Sequence, residues 1–177
     1  MSNTRIATGL LRSQYQAAHD CLEATLEGVT DEVAAWQPPG RALPIGAHYL
    51  HHVSLEDAVV NIILSGGTQL RMSAFEGKTG GSDLIPLDAA DWSDWARTVK
   101  VNVAVAREYA QAVFVATDRY LASLTDDELS RDVDLSALGG EPMQLGAFLS
   151  QLLGDCHSHC GEISCLKGLQ GLQGYPF

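Results

Sequence analysis

The sequence predicts an all-α fold, a four-helix bundle with a long connection between its second and third helices, in one domain over residues 1–177. Three observations predict it. Apolar residues recur every three or four positions along most of the chain, the period of a helix buried on one face. Apolar–polar alternation, the mark of a half-buried strand, never persists beyond a few residues. Gly- and Pro-rich breaks fall at unequal intervals and leave four periodic segments of roughly 20 to 30 residues.

The first helix is expected over residues 4–29, where Leu11, Tyr15, Ala18, Leu22, Leu26 and Val29 form one stripe. Pro38, Pro39 and Gly40 cannot continue it. The second helix is expected to start at Pro44, well placed in a first turn, and to run to Leu64 before Ser65-Gly66-Gly67. Residues 66–91 are Gly-rich and aperiodic, a long loop that either covers a site or merely connects. The third helix is expected from the segment 91–95 to Leu124, with Trp95, Val99, Val103, Ala106, Ala110 and Val113 inward. Residues 131–140 suit a short turn or hairpin. The fourth helix is expected over residues 143–167, closed by Gly168. "TDEVAAW" and "TDDELSR" each follow a long helix and read as similar helix-exit chemistry.

Composition narrows the function. The chain is 46% hydrophobic and 19% charged with a net charge of −11, a globular balance whose acidity argues against a phosphate-backbone partner. Its longest apolar runs are too short to span a bilayer, and its first residues lack the pattern of an export signal, so a cytoplasmic location is expected. Four cysteines, three of them in one short segment, do not form a secreted disulfide framework.

The segment "LLGDCHSHCGEISCLKG" carries the densest chemistry. Each helical residue turns by about 100°, so Leu145, Phe148, Leu152, Asp155, His159, Ile163 and Leu166 share the inner face. His157 points out, Cys156 and Cys160 flank the stripe, and Glu162 lies at its edge, in reach of a ligand or of solvent. In the second helix Ile45, His52, Leu55, Val59 and Ile62 form the stripe; His48 is nearly in line, and His51 is offset toward solvent. Two helices thus aim imidazoles and a carboxylate into an apolar seam. A buried carboxylate needs a partner or a metal. A His–Asp hydrogen bond and a metal site are both open on periodicity alone.

Other polar residues have plain readings. His19 and Glu23, four apart, suit a surface pair. Tyr49 and Glu56 suit either the helix surface or a role in orienting a histidine. Trp36, Trp92 and Trp95 suit core or loop anchors. Cysteines four apart on one rigid helix are poorly placed for a disulfide, so Cys156, Cys160 and Cys165 read as packing residues.

"HYLHHVSLED" in the second helix, and Asp155 with "HCGEI" and "LKG" in the fourth, resemble the DinB-like superfamily of metal-binding four-helix bundles over essentially the whole chain. That group includes thiol-dependent S-transferases and mycothiol-dependent maleylpyruvate isomerase. The resemblance implies a divalent metal, Zn2+ or Ni2+, on His52, Asp155 and His159, and leaves open whether His48 replaces or joins that set. Asp155 stands where the family pattern has His or Glu, one methylene shorter than Glu. Three protein ligands leave a position open for water or a thiol, and the resemblance implies S-transfer from a low-molecular-weight thiol onto an electrophilic substrate. The same donors would also suit Fe(II) with O2. The alternative is a non-enzymatic bundle, metal-bound or metal-free, that forms a homodimer; the apolar end Tyr175-Pro176-Phe177 would pack across the bundle or against the second subunit.

Overall fold

The computed structural model describes residues 4–86 and 92–177. Four long helices make the bundle: α1 (Ile6–Thr25), α3 (Ile45–Ala58), α5 (Val103–Ser123) and α6 (Leu145–Leu169). Two short helices, α2 (Asp31–Ala35) and α4 (Ser93–Thr98), lie in the connections. The 131–140 region forms part of a small antiparallel hairpin, β1 (Asp132–Val133) with β2 (Met143–Gln144). The fold is therefore the expected all-α bundle. No described helix is long and apolar enough to cross a membrane.

Both ends of α1 are satisfied by distant residues. The Asp126 carboxylate accepts hydrogen bonds from the backbone N–H groups of Ile6, Ala7 and Thr8, the orphan donors of a helix N-terminus. Lys167 Nζ donates to the carbonyls of Thr25 and Glu27 at the other end. The two similar segments start helical turns rather than end them. Thr30 accepts from Val33 N–H, and Thr125 forms a reciprocal capping box with Glu128.

Three expectations fail for local reasons. The third helix is not continuous. At Val99 the backbone becomes extended, and Asn102 accepts from Val105 N–H to start α5 afresh. Val101 instead bridges Gly81, and the Asn102 N–H donates to the Gly80 carbonyl. At Gly80 a Cβ would lie 2.5 Å from the Ala106 nitrogen, and φ is +83°, so only glycine fits. The expected start at residue 91 lies outside the described residues. Second, α3 passes into a π-helical turn at Val59–Leu64, which shifts the register. Ile62, expected inside, is 41% exposed.

Third, α3 is enclosed on nearly every side, with buried residues at twelve of its positions from Ile45 to Ala58. Counting 100° steps separates core from solvent only where a helix has a wet face. The long connection also docks beneath this helix. Buried Asp57 accepts from Asn61 Nδ2, from Leu70 and Arg71 N–H, and from the Tyr109 hydroxyl.

Candidate metal centre

The polar side chains of α3 and α6 meet in two groups joined by one aspartate. Toward the open end of the seam, His48 Nδ1 lies 3.1 Å from His159 Nδ1. Glu162 Oε2 stands 2.9 Å from the first and 2.8 Å from the second. Deeper in, Glu56 Oε2 is 3.1 Å from His19 Nε2 and 3.3 Å from His52 Nε2. The Thr117 hydroxyl donates to the other Glu56 oxygen. Asp155 links the groups, with Oδ2 2.9 Å from His52 Nδ1 and Oδ1 3.5 Å from His159 Nε2.

Sequence periodicity brought His52, Asp155 and His159 to one seam, and the structure places them as neighbours. Asp155 meets the two imidazoles with different oxygens, and the two rings lie 6.0 Å apart between centroids. Among the described residues, two other trios bring their ligand atoms within 4.8 Å of one another: His48–His159–Glu162 and His19–His52–Glu56. His157 is exposed, and Cys156 and Cys160 are buried beside the stripe.

Two histidines depart from their expected settings. His51 is only partly exposed: its ring stacks on Trp92 at 4.2 Å, and its Nδ1 is buried without a hydrogen-bond partner. The enclosure of α3 by neighbouring segments is the cause. His19 is no surface partner of Glu23. It is buried, stacked on Phe114 and paired with Glu56, while Glu23 holds Tyr49 and Arg107. Glu56 itself is fully buried. The spacing of His19 and Glu56 in the sequence carries no signal of this pairing, because periodicity orders residues within one helix and not between helices.

Electrostatics separates the two groups. Burial opposes ionisation of Glu56, but hydrogen bonds from His19 and His52 outweigh it and hold its carboxyl well below the usual range. Burial likewise opposes protonation of His52, yet Asp155, Cys156 and Glu56 together hold its pKa well above the usual value. In the deep group the ionised form of Glu56 and the protonated form of His52 therefore favour each other. In the outer group, hydrogen bonds from His159 and then His48 hold Glu162 far below the carboxylate range, although it is half-exposed. For Asp155, burial is outweighed by the hydrogen bond to His52 and the field of His159, and its pKa falls. Burial, and then His159, lowers His51 to about 4, so it is neutral at pH 7.

The outer trio fits a metal ion. Two ring nitrogens 3.1 Å apart cannot both direct a proton at each other, and both also face one carboxylate oxygen. A cation among the three would satisfy all of them. Corners of a tetrahedron with metal–ligand bonds of about 2.0–2.1 Å stand roughly 3.3 Å apart. The observed separations of 2.8 to 3.1 Å fall a few tenths of an ångström short of that, a gap small side-chain rotations supply. Adjoining Asp155 rather than the trio itself, a crevice of about 350 Å³ is lined by Leu55, Val59, Phe148, Gln151, Leu152 and Asp155. Its walls are apolar, with the Asp155 carboxylate among them.

Comparison with known proteins agrees with this architecture. The sequence matches the DinB superfamily over residues 14–163. The fold is similar to the crystal structure of a conserved protein from Enterococcus faecalis, with a TM-score of 0.72 and 21% identity, covering 92% of this chain and 95% of that one. It is also similar to a DinB-like protein from Bacillus cereus, with a TM-score of 0.55 and 20% identity, covering 91% of this chain and 88% of that one. No curated protein matches the chain.

Proposed function

From the premise that this chain belongs to the DinB superfamily, we propose that it binds a divalent metal ion between α3 and α6, on His48, His159 and Glu162. The observation that carries the reading is the convergence of two imidazole nitrogens and a carboxylate oxygen within 3.1 Å of one another at the end of a buried seam. Two nitrogens and one oxygen suit Zn2+ or Ni2+ and leave room for a further ligand. Glu162 is half-exposed, so a further ligand could reach the trio from solvent. Asp155 then serves as a positioning group, holding His159 from one side and the His52 imidazole from the other.

A second reading keeps the ligand set that the family resemblance implies: His52, Asp155 and His159. The direct contact of Asp155 with both histidines favours it. It requires an ion to take the place of the His52–Asp155 hydrogen bond. His159 is common to both. Metal content of native-purified protein separates them: His48→Ala and Glu162→Gln empty the site in the first reading, His52→Ala in the second. Full metal in His159→Ala removes both.

For chemistry, we infer a thiol transferase of the kind the resemblance suggests. The ion, when bound, would stabilise the thiolate form of a small thiol near pH 7. The residues around it would do the rest. The apolar crevice beside Asp155 would hold the body of an electrophile, and His51 and Trp92, stacked on each other, would pack against the His48 and His159 rings. Turnover of glutathione or mycothiol with a panel of small electrophiles tests this, and no metal-dependent thiol consumption with any of them would overturn it. A non-enzymatic homodimer is the competing proposal. The C-terminal tail folds back along α6, where Tyr175 stacks on an almost fully exposed Phe177. Sedimentation of a chain ending at residue 173 tests whether that aromatic pair holds a second copy.

A further inference from the structure

The sulfurs of Cys21 on α1 and Cys160 on α6 lie 3.7 Å apart, in van der Waals contact. The cysteines stand 139 residues apart in sequence, and nothing in the spacing around either one announces the pairing. We propose that Cys21 and Cys160 form an oxidation site, a dithiol that a hydroperoxide converts to a disulfide joining α1 to α6. The proposal is independent of the metal reading.

The geometry needs little change. A disulfide places its sulfurs about 2.05 Å apart, so the two must approach by roughly 1.7 Å, a movement that rotation about the Cα–Cβ bonds can supply. No competing partner on α6 is as well placed. Cys156 is one turn from Cys160 on the same rigid helix, the arrangement least suited to a bridge, and Cys165 is exposed. The Thr25 hydroxyl, which donates to the Cys21 carbonyl, also lies 3.4 Å from Cys160 Sγ and holds that side chain toward α1.

Exposure sets the order of events. Cys21 is partly open to solvent, whereas Cys160 is only 2% exposed. Cys21 sulfur therefore attacks the peroxide oxygen first. An S–O bond forms, the O–O bond breaks, and the leaving oxygen departs as water with the thiol proton when the oxidant is hydrogen peroxide. The Cys160 sulfur then attacks the Cys21 sulfenic acid: the S–S bond forms, the S–O bond breaks, and a second water leaves. Two thiols lose two electrons, and one peroxide gains them.

The test is peptide mapping by mass spectrometry on the full chain. Reduced protein, stripped of metal with a chelator, is treated with hydrogen peroxide, alkylated and digested without reductant. The expected product is the Cys21 peptide linked to the Cys160 peptide, lighter than their sum by two hydrogens and lost on reduction. It should persist in Cys165→Ser and Cys156→Ser and vanish in Cys21→Ser, a change at the more exposed and more tolerant position. Wild-type protein whose Cys21 reaches the sulfinic acid while Cys160 stays alkylatable would overturn the proposal. So would a link that pairs either cysteine with Cys165.

Discussion

Two clusters of the same composition, two histidines and a glutamate, sit a few ångströms apart in this bundle and differ in nearly everything that matters chemically. In the deep one, His19, His52 and Glu56 are all buried, and the carboxylate takes hydrogen bonds from His19 and Thr117 while His52 carries the balancing proton. In the outer one, two imidazole nitrogens 3.1 Å apart both face one oxygen of a half-exposed carboxylate. Residue type does not decide which cluster binds an ion. On the proposed reading, what separates them is burial, because an ion and its further ligand would have a way in only at the outer one.

Removing the carboxylate from each cluster sharpens the contrast most. Glu56→Ala leaves His19 and His52 in the core without their anion, and breaking a buried charge pair costs about 3–5 kcal/mol. Chemical denaturation of the metal-free protein should show a loss of that size. Glu162→Ala, at a half-exposed position, should change metal-free stability by less than about 0.5 kcal/mol while emptying the site. Equal losses from the two variants would break the comparison.

The link between the clusters comes next. Asp155→Asn keeps the shape but weakens the acceptor that orients both His52 and His159. Loss of such an orienting partner typically costs 10- to 100-fold in metal affinity, about 1.4–2.7 kcal/mol. Competition titration against a chromophoric chelator reads this directly. A complete loss of binding would instead make Asp155 a ligand and favour the second ligand set.

A smaller effect concerns pH. His51, neutral in the fold with a pKa near 4, is protonated in the unfolded chain below about 6.5. Its contribution is whole above about pH 6.5 and is lost as pH falls toward 4, because the unfolded state then binds the extra proton. Partial exposure discounts the amount to about 1–2 kcal/mol. Thermal melts of the metal-free protein should fall over this window, and His51→Phe, which keeps the stacking on Trp92, should flatten the fall. The smallest effect is expected at His157, exposed on the outer face of α6, where Ala should leave both stability and metal content unchanged within about 0.5 kcal/mol.

The comparison also shows how far sequence could reach. The four long helices were legible because their apolar stripes are regular, and the inward placement of His52 and His159 followed from the same stripes. His48 and Glu162 were legible only as near-misses, one turn or one edge away from the stripe, yet they meet at the outer cluster. The break at Val99–Asn102 hid because Val99 and Val103 continue a helical stripe, while with Val101 between them they suit an extended crossing equally well. In the deep cluster His52 and Glu56 stand four apart on one helix and their pairing was open to periodicity, whereas the place of His19 and the Cys21–Cys160 contact were beyond it, since each joins residues of different helices. Faces can be read from one helix at a time, whereas partners depend on how helices are rotated against one another.

The account rests on metal going to the outer cluster and not to the deep one. Metal analysis by mass spectrometry of native-purified wild type, His159→Ala and His19→Gln tests this most directly. Wild type and His19→Gln should carry the same metal at close to one ion per chain, and His159→Ala should carry none. Metal retained in His159→Ala, or lost in His19→Gln alone, would place the ion in the interior and contradict the account.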